Sequence, residues 1–336
     1  MKECIFYKKL NKNSVQCTAC NHFCVIEPGH FGKCGARQNI EGKLQLMVYG
    51  KTVAMNIDPV EKKPLYHFLP GSLAYSFGTF GCNFRCPNCQ NYDISQINGP
   101  AMSDWGAKWE PKNIVAAAKK AGCESIAYTY NEPTVFAEFA IDTMKLAKKA
   151  GLKNIWVSNG YTSAKCLETV VPYLDAVNID VKGNEKFYQN FCLAKLQPIL
   201  DNLVYLKSKG VHIEITTLVI PKLSDSEEMF TQIATFIKEK LGPETPWHLS
   251  RFSPELSWAL QTLPATETKA LEKGYAIGKK LGLKYVYLGN IYDTDKDDTY
   301  CPKCAEVAIK RRGYEVQRLD TAGKCSKCGE SLDIVL

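Results

Sequence analysis

Eleven of the fifteen cysteines stand in three tight groups, and that grouping constrains the fold more than any other feature of the sequence. The groups are Cys17, Cys20, Cys24 and Cys34; Cys82, Cys86 and Cys89; and Cys301, Cys304, Cys325 and Cys328. In a reducing compartment such clusters bind metal more often than they form disulfides. The opening MKECIFYKKL lacks the apolar core and cleavage site of a secretory signal. No apolar run approaches the ~18 residues of a membrane span. A cytoplasmic, metal-bearing chain is therefore expected. Cys4, Cys123, Cys166 and Cys192 stand apart and read as small buried hydrophobes.

Between the outer groups, short β-rich runs alternate with longer helical patterns. Expected strands are Ala74–Phe77, Ser125–Tyr130, Asn154–Ser158, Ala176–Val181, Val211–Ile220 and Trp247–Phe252, with a seventh at Lys284–Leu288. Helical stretches at 111–122, 134–151 and 226–242 each end in the glycine expected past a helix C-terminus. Such alternation implies a parallel sheet with right-handed crossovers. The expected fold class is α/β, a partial (β/α)6-type TIM barrel across 71–292. A cysteine-rich N-terminal extension spans 1–70, and a four-cysteine ribbon spans 300–336. The acidic DTDKDDT at 293–299 reads as an exposed linker. The net charge of +7 is spread along the chain, so nucleic acid is not an expected partner.

Barrels of this kind place their chemistry on loops after the strands. The first such loop is GTFGCNFRCPNCQN, with Cys82, Cys86 and Cys89 spaced C-x3-C-x2-C. A [4Fe–4S] cluster normally takes four thiolates. Three, with no fourth cysteine close in sequence, leave one iron open for substrate, as catalytic zinc keeps one position open. Three ligands of a zinc site completed elsewhere are the alternative. The spacing resembles the signature of the radical S-adenosylmethionine superfamily, and the resemblance implies a [4Fe–4S] cluster and S-adenosyl-L-methionine as cofactors. Asn88 stands where that superfamily usually has an aromatic residue against the adenine, leaving Phe84 or Tyr92 for adenine packing.

Later strand ends extend the likeness. Asn131-Glu132-Pro133 resembles the Gly-Gly-Glu-Pro motif of glycyl-radical activating enzymes, with Tyr130-Asn131 in place of the glycines. The resemblance implies that Glu132 meets the methionyl ammonium through a charge-assisted hydrogen bond. Ser158 and Asn159 lie at the mouth of the next strand. Asp180 and Lys182 face one side of the strand after it, and the resemblance assigns Lys182 to the methionyl carboxylate. Val157 replaces the aspartate that binds a cation in some relatives, so no such site is expected. His248 and Arg251 are candidates to point into the barrel mouth, although a lone strand histidine is more often a satisfied core residue.

The terminal pairs Cys301/Cys304 and Cys325/Cys328 form a ribbon-like four-thiolate site for zinc or rubredoxin-like iron. Apolar burial alone is too little to fold so small a module, so the metal is expected to stabilise it. Cys17, Cys20, Cys24 and Cys34 fit zinc or an auxiliary iron–sulfur cluster equally, with His22 a lesser ligand.

Taken together, CTACNHFC, GHFGKCGAR, GCNFRCPNCQN, AYTYNEPT, WVSNGY, NIDVKG, PWHLSRFSP and the terminal ribbon resemble the AmmeMemoRadiSam-system radical S-adenosylmethionine enzymes, relatives of pyruvate formate-lyase activating enzyme. The resemblance spans essentially the whole chain. It implies an oxygen-sensitive oxidoreductase that cleaves S-adenosylmethionine to a 5′-deoxyadenosyl radical and abstracts hydrogen from a substrate, a protein by analogy with the activating enzymes. It further implies a low-potential flavodoxin- or ferredoxin-type donor and association with AMMECR-type and Memo-type proteins. A small-molecule or lipid substrate is the second reading, and a metal-ribbon adaptor with an inactive barrel the third.

Overall fold

Eight strands build the central sheet: β1 (Ala54–Pro59), β2 (Leu73–Gly78), β3 (Ser125–Tyr128), β4 (Lys153–Ser158), β5 (Ala176–Asp180), β6 (His212–Val219), β7 (Trp247–Arg251) and β8 (Val286–Gly289). They lie side by side in chain order, β2 to β8 parallel and β1 antiparallel against β2. The computed structural model describes residues 1–96, 106–291 and 294–336. Tyr292 and Asp293, at the expected junction of barrel and linker, lie outside the described residues.

Each parallel strand but the last is followed by a crossover helix: α1 (Pro111–Lys120), α2 (Ala137–Lys149), α3 (Ala164–Val170), α4 (Gln197–Ser208), α5 (Glu227–Phe236) and α6 (Thr268–Lys280). The six crossovers and the seventh parallel strand match the expected α/β architecture. The helices stop where the sequence said they would. Gly122, Gly151 and Gly242 take φ of +69°, +79° and +97°, a region open to glycine at little cost.

The two sheet faces are filled differently. The helix-covered face buries Ile126, Tyr128, Trp156, Val177, Ile213 and Trp247 in the main core. The concave face carries Ala74, Ala127, Ile155 and Ala176, and against these small residues packs a plug of Val60, Leu65, Phe68 and Leu69. Residues 54–69 thus belong to the barrel, although the sequence placed them in an irregular region ending at 70. Lone short strands and apolar loops carry no periodic signal, so only pairing reveals them.

The rest of that region is also ordered, as two three-stranded antiparallel sheets, Lys2–Glu3 with Lys43–Leu46 and Arg37–Ile40, and Tyr7–Lys9 with Val15–Cys17 and Val25–Ile26. It is fixed to the barrel by Arg37, whose guanidinium donates two hydrogen bonds to the Glu138 carboxylate on α2, at 2.9 and 2.6 Å. Both side chains are at most 2% exposed.

The acidic linker is docked rather than exposed. Asp298 and Thr299 are buried, Lys296 accepts from the β8 amide of Leu288, and Asp298 accepts from the amide of Arg311. The Arg311 guanidinium lies 4.0 Å from the Tyr66 ring centroid and donates to the Tyr66 carbonyl at 2.9 Å. Phe68 pairs with Val335, and His67 Nδ1 lies 3.0 Å from the Leu332 carbonyl. Buried arginine and backbone pairing make the terminal module a cap on the plug, which a count of surface acids could not foresee.

Candidate functional site

The cysteine loop leaves β2 through two glycines whose places admit no side chain. A Cβ on Gly78 would sit 2.5 Å from the Thr129 carbonyl, and one on Gly81 would sit 2.3 Å from the Cys34 carbonyl. Asn131, from the end of β3, staples the loop in place. Its Oδ1 accepts from the Thr79 amide at 3.0 Å and its Nδ2 donates to the Gly81 carbonyl at 2.8 Å. Tyr130 before it takes a φ of +70°, the left-handed turn for which the related motif carries glycine.

A second clamp comes from the loop after β7. The Trp258 indole donates to the Cys86 carbonyl at 2.7 Å, and the Ser257 hydroxyl to the Pro87 carbonyl at 2.8 Å. Donors also face the sulfurs. The Phe84 amide donates to Cys82 Sγ at 3.4 Å, the Ser95 hydroxyl lies 3.2 Å from Cys89 Sγ, and Asn159 Nδ2 lies 3.9 Å from Cys82 Sγ. Such contacts to thiolate sulfur tune a cluster's potential. Burial pushes the Cys82 and Cys89 thiols up, so deprotonation there calls for a bound cation.

By sequence Cys192 stands apart as a small buried hydrophobe. It is buried, but its Sγ lies 3.6 Å from Cys86 Sγ. The sulfur–sulfur contact with Cys192 draws the Cys86 thiol down. A chain separation of more than a hundred residues hid this neighbour, and a π-turn at Tyr188–Cys192 delivers it.

Glu132 is 2% exposed. Its carboxylate accepts from the Thr134 amide at 3.0 Å, the Thr134 hydroxyl at 2.7 Å, the Ser158 hydroxyl at 2.9 Å and the Asn159 amide at 2.8 Å. Four donors meet the roughly four lone-pair sites of a carboxylate. Burial nonetheless raises its pKa, the hydrogen bonds working against that rise. Asn159 in turn donates to Asn83 Oδ1 at 2.7 Å, tying the ends of β3 and β4 to the cysteine loop.

Lys182 Nζ contacts Asp180 Oδ2 at 2.6 Å, and the Tyr188 hydroxyl fixes the turn by accepting from the Lys182 amide and donating to the Asp180 carbonyl. Asp180, Cys86 and Cys192 hold the lysine well above its usual pKa against the opposing effect of burial, so it stays cationic. Thr216 is the register partner of Asp180 on the concave face, and its buried hydroxyl has no partner. Asn88 Oδ1 and Arg251 Nε are also buried without partners. A fixed cation with an unpaired hydroxyl on the adjoining strand is what an amino-acid-like, hydroxyl-bearing cofactor needs, so Lys182 and Thr216 fit S-adenosylmethionine. Phe84 is committed to the core against Tyr161, 5.3 Å between centroids, whereas Tyr92 is exposed.

His248 is 3% exposed. Its Nε2 lies 2.7 Å from Glu214, and its ring stacks on Tyr287 at 5.2 Å. Glu214 also receives the amides of Tyr66 and His67 and faces His212 at 3.0 Å. Arg251 falls on the strand parity of Trp247 and Leu249, opposite to His248.

In the terminal module the four sulfurs converge within 4.8 Å of one another, with Cys301–Cys328 and Cys304–Cys325 each at 3.6 Å. The edge of a tetrahedron with ~2.3 Å metal–sulfur bonds is ~3.8 Å, so this set fits one tetrahedral ion. Each C-x2-C turn ends on a left-handed residue, Ala305 at +58° and Gly329 at +73°. Because the module caps the plug, Cys325→Ser with Cys328→Ser is expected to lower the melting temperature of the whole chain, read by calorimetry. A barrel transition left at its wild-type temperature would show that the cap bears no load.

Comparisons with known proteins bear on the family and the fold. Residues 77–234 match the Radical SAM superfamily profile. The uncharacterized protein MJ0808 of Methanocaldococcus jannaschii is 40% identical across 100% of both chains. Pyruvate formate-lyase 1-activating enzyme of Escherichia coli K12 is 24% identical over 47% of this chain and 66% of that enzyme. In fold, a radical SAM methyltransferase from Sphaerobacter thermophilus superposes with a TM-score of 0.51 at 11% identity, over 71% of this chain and 72% of the other. The chain therefore belongs to one family with the Methanocaldococcus protein, and it carries a Radical SAM domain.

Proposed function

We propose that the chain is an activating-enzyme-like radical S-adenosylmethionine oxidoreductase acting on a protein substrate. The observation that carries this reading is the loop after β2, where three cysteines are clamped from both sides and ringed by hydrogen-bond donors. When bound, a [4Fe–4S] cluster on Cys82, Cys86 and Cys89 together with S-adenosylmethionine supplies reductive cleavage to methionine and a 5′-deoxyadenosyl radical.

The chain's residues bind, orient and shield. Lys182 presents a permanent positive charge to the methionyl carboxylate. Glu132 acts as a positioning residue, holding Ser158, Asn159 and the start of the next helix around that site. Asn88 and Thr216 offer unpaired oxygens toward ribose or adenine. His248, locked to Glu214, braces the floor of the pocket.

The activating enzymes among its relatives and the motif resemblance support a protein substrate, a flavodoxin- or ferredoxin-type donor, and AMMECR-type and Memo-type proteins as associates. A cytoplasmic, anaerobic setting suits this chemistry, and none of the described helices is long and apolar enough to cross a membrane. The direct test incubates the reconstituted enzyme with S-adenosylmethionine, reductant and candidate proteins in deuterated solvent. Deuterium at a protein carbon supports the reading, and label appearing only in a small molecule overturns the substrate class.

The two charged residues should separate in their effects. Lys182→Met is expected to keep cluster iron and weaken S-adenosylmethionine binding by about one to two powers of ten, for a charge-assisted contact of roughly 1.5–3 kcal/mol. Glu132→Gln turns an amide N–H toward existing donors and is expected to cost about 1–3 kcal/mol of stability. Equilibrium binding and denaturant unfolding read the two. Unchanged affinity in Lys182→Met would remove that residue from the cofactor site.

A further inference from the structure

Four thiols take no part in the reaction proposed above. Cys17, Cys20, Cys24 and Cys34 line one cavity with His22, Arg37 and Asn83. Their arrangement differs from that of the terminal four. Among the described residues only the terminal sulfurs gather as a group within 4.8 Å of one another; the N-terminal four are brought together as the lining of the cavity. A single tetrahedral ion needs all four at the ~3.8 Å edge. An iron–sulfur cluster gives each thiolate its own iron and spreads the ligands around an inorganic core.

A second observation points the same way. Asn83, which lines this cavity, is 4% exposed, and its Nδ2 has no partner. Its other polar groups are engaged: the carbonyl lies 2.8 Å from His22 Nε2, and Oδ1 accepts from Asn159. A buried, unpaired N–H beside four thiols suits an inorganic sulfide acceptor.

The cavity also adjoins the other cysteine loop. The Cys34 carbonyl packs against Gly81, and Asn83 follows Cys82 directly. Cys17, Cys34 and Cys86 are buried, and Cys20, Cys24, Cys82 and Cys89 are partly exposed. The two sets thus adjoin at a similar depth.

We propose that Cys17, Cys20, Cys24 and Cys34 bind a second [4Fe–4S] cluster that relays electrons to the one on the adjoining Cys82 loop. When bound, it would take one electron from a low-potential ferredoxin- or flavodoxin-class protein and pass that electron to the cluster held by Cys82, Cys86 and Cys89. No bond or proton changes hands. The relay rests on the radical reading of the Cys82 loop, but the site itself does not.

The test uses the full chain, anaerobically reconstituted with iron and sulfide, carrying Cys82→Ala, Cys86→Ala and Cys89→Ala. About four acid-labile sulfides per chain should remain, since a cubane holds four. Dithionite should produce a half-integer-spin resonance that S-adenosylmethionine leaves unchanged, because every iron is already thiolate-bound. Adding Cys17→Ser and Cys20→Ser should remove both sulfide and signal. The terminal site cannot mimic this result, since a lone zinc or iron brings no sulfide. Zinc without labile sulfide in the triple variant overturns the proposal, and that arm stands even if the fivefold variant does not fold.

Discussion

Alanine at Cys82, Cys86 and Cys89 together should abolish 5′-deoxyadenosine release from S-adenosylmethionine and reductant, read by chromatography and mass spectrometry. The effect is all-or-none because the three thiolates share one inorganic core. Losing them removes the electron's last station and the open coordination site together. The loop itself should survive the change. Asn131, Trp258 and Ser257 hold its backbone through carbonyls and amides that alanine leaves intact. Lys182 keeps its partner Asp180. Persistent release by the triple variant would remove the loop from the chemistry.

The largest stability effect is expected at Arg37 and Glu138. Both are almost fully buried and joined by two hydrogen bonds, and Arg37 also donates to the Val135 carbonyl at 3.2 Å. Glu138→Leu leaves the guanidinium without its counter-charge in a dry interface, a change worth about 3–5 kcal/mol. Arg37→Met leaves the carboxylate equally stranded and should cost a similar amount. The double variant Arg37→Met with Glu138→Leu should recover much of the loss, since an apolar pair of similar volume removes both stranded charges. Urea unfolding of the four chains closes the cycle. Strictly additive losses would mean that the pair acts through packing alone.

What the sequence disclosed and what it concealed divide by range of interaction. The parallel strands were legible because each is a short β-rich run between helical stretches ended by Gly122, Gly151 and Gly242. The cysteine groups were legible because their ligands lie on single turns. Strand β1 and the plug were not, since their identity depends on pairing with β2 and on the small residues opposite. Cys192 looked like a spare hydrophobe because nothing local links it to Cys86. The linker looked exposed because acidity is a surface signal, while the burial of Asp298 answers to Arg311. Glu132 drew notice as a charge, and only its four donors reveal how it is held.

The pairing of Phe68 with Val335 bears on biosynthesis. A ribosome releases the plug early, and the parallel strands can begin to assemble behind it. The covering of that plug waits for Arg311, Leu332 and Val335, which follow it in the chain by more than two hundred residues. Until then the nascent chain carries a half-shielded barrel floor, a surface for chaperones to attend.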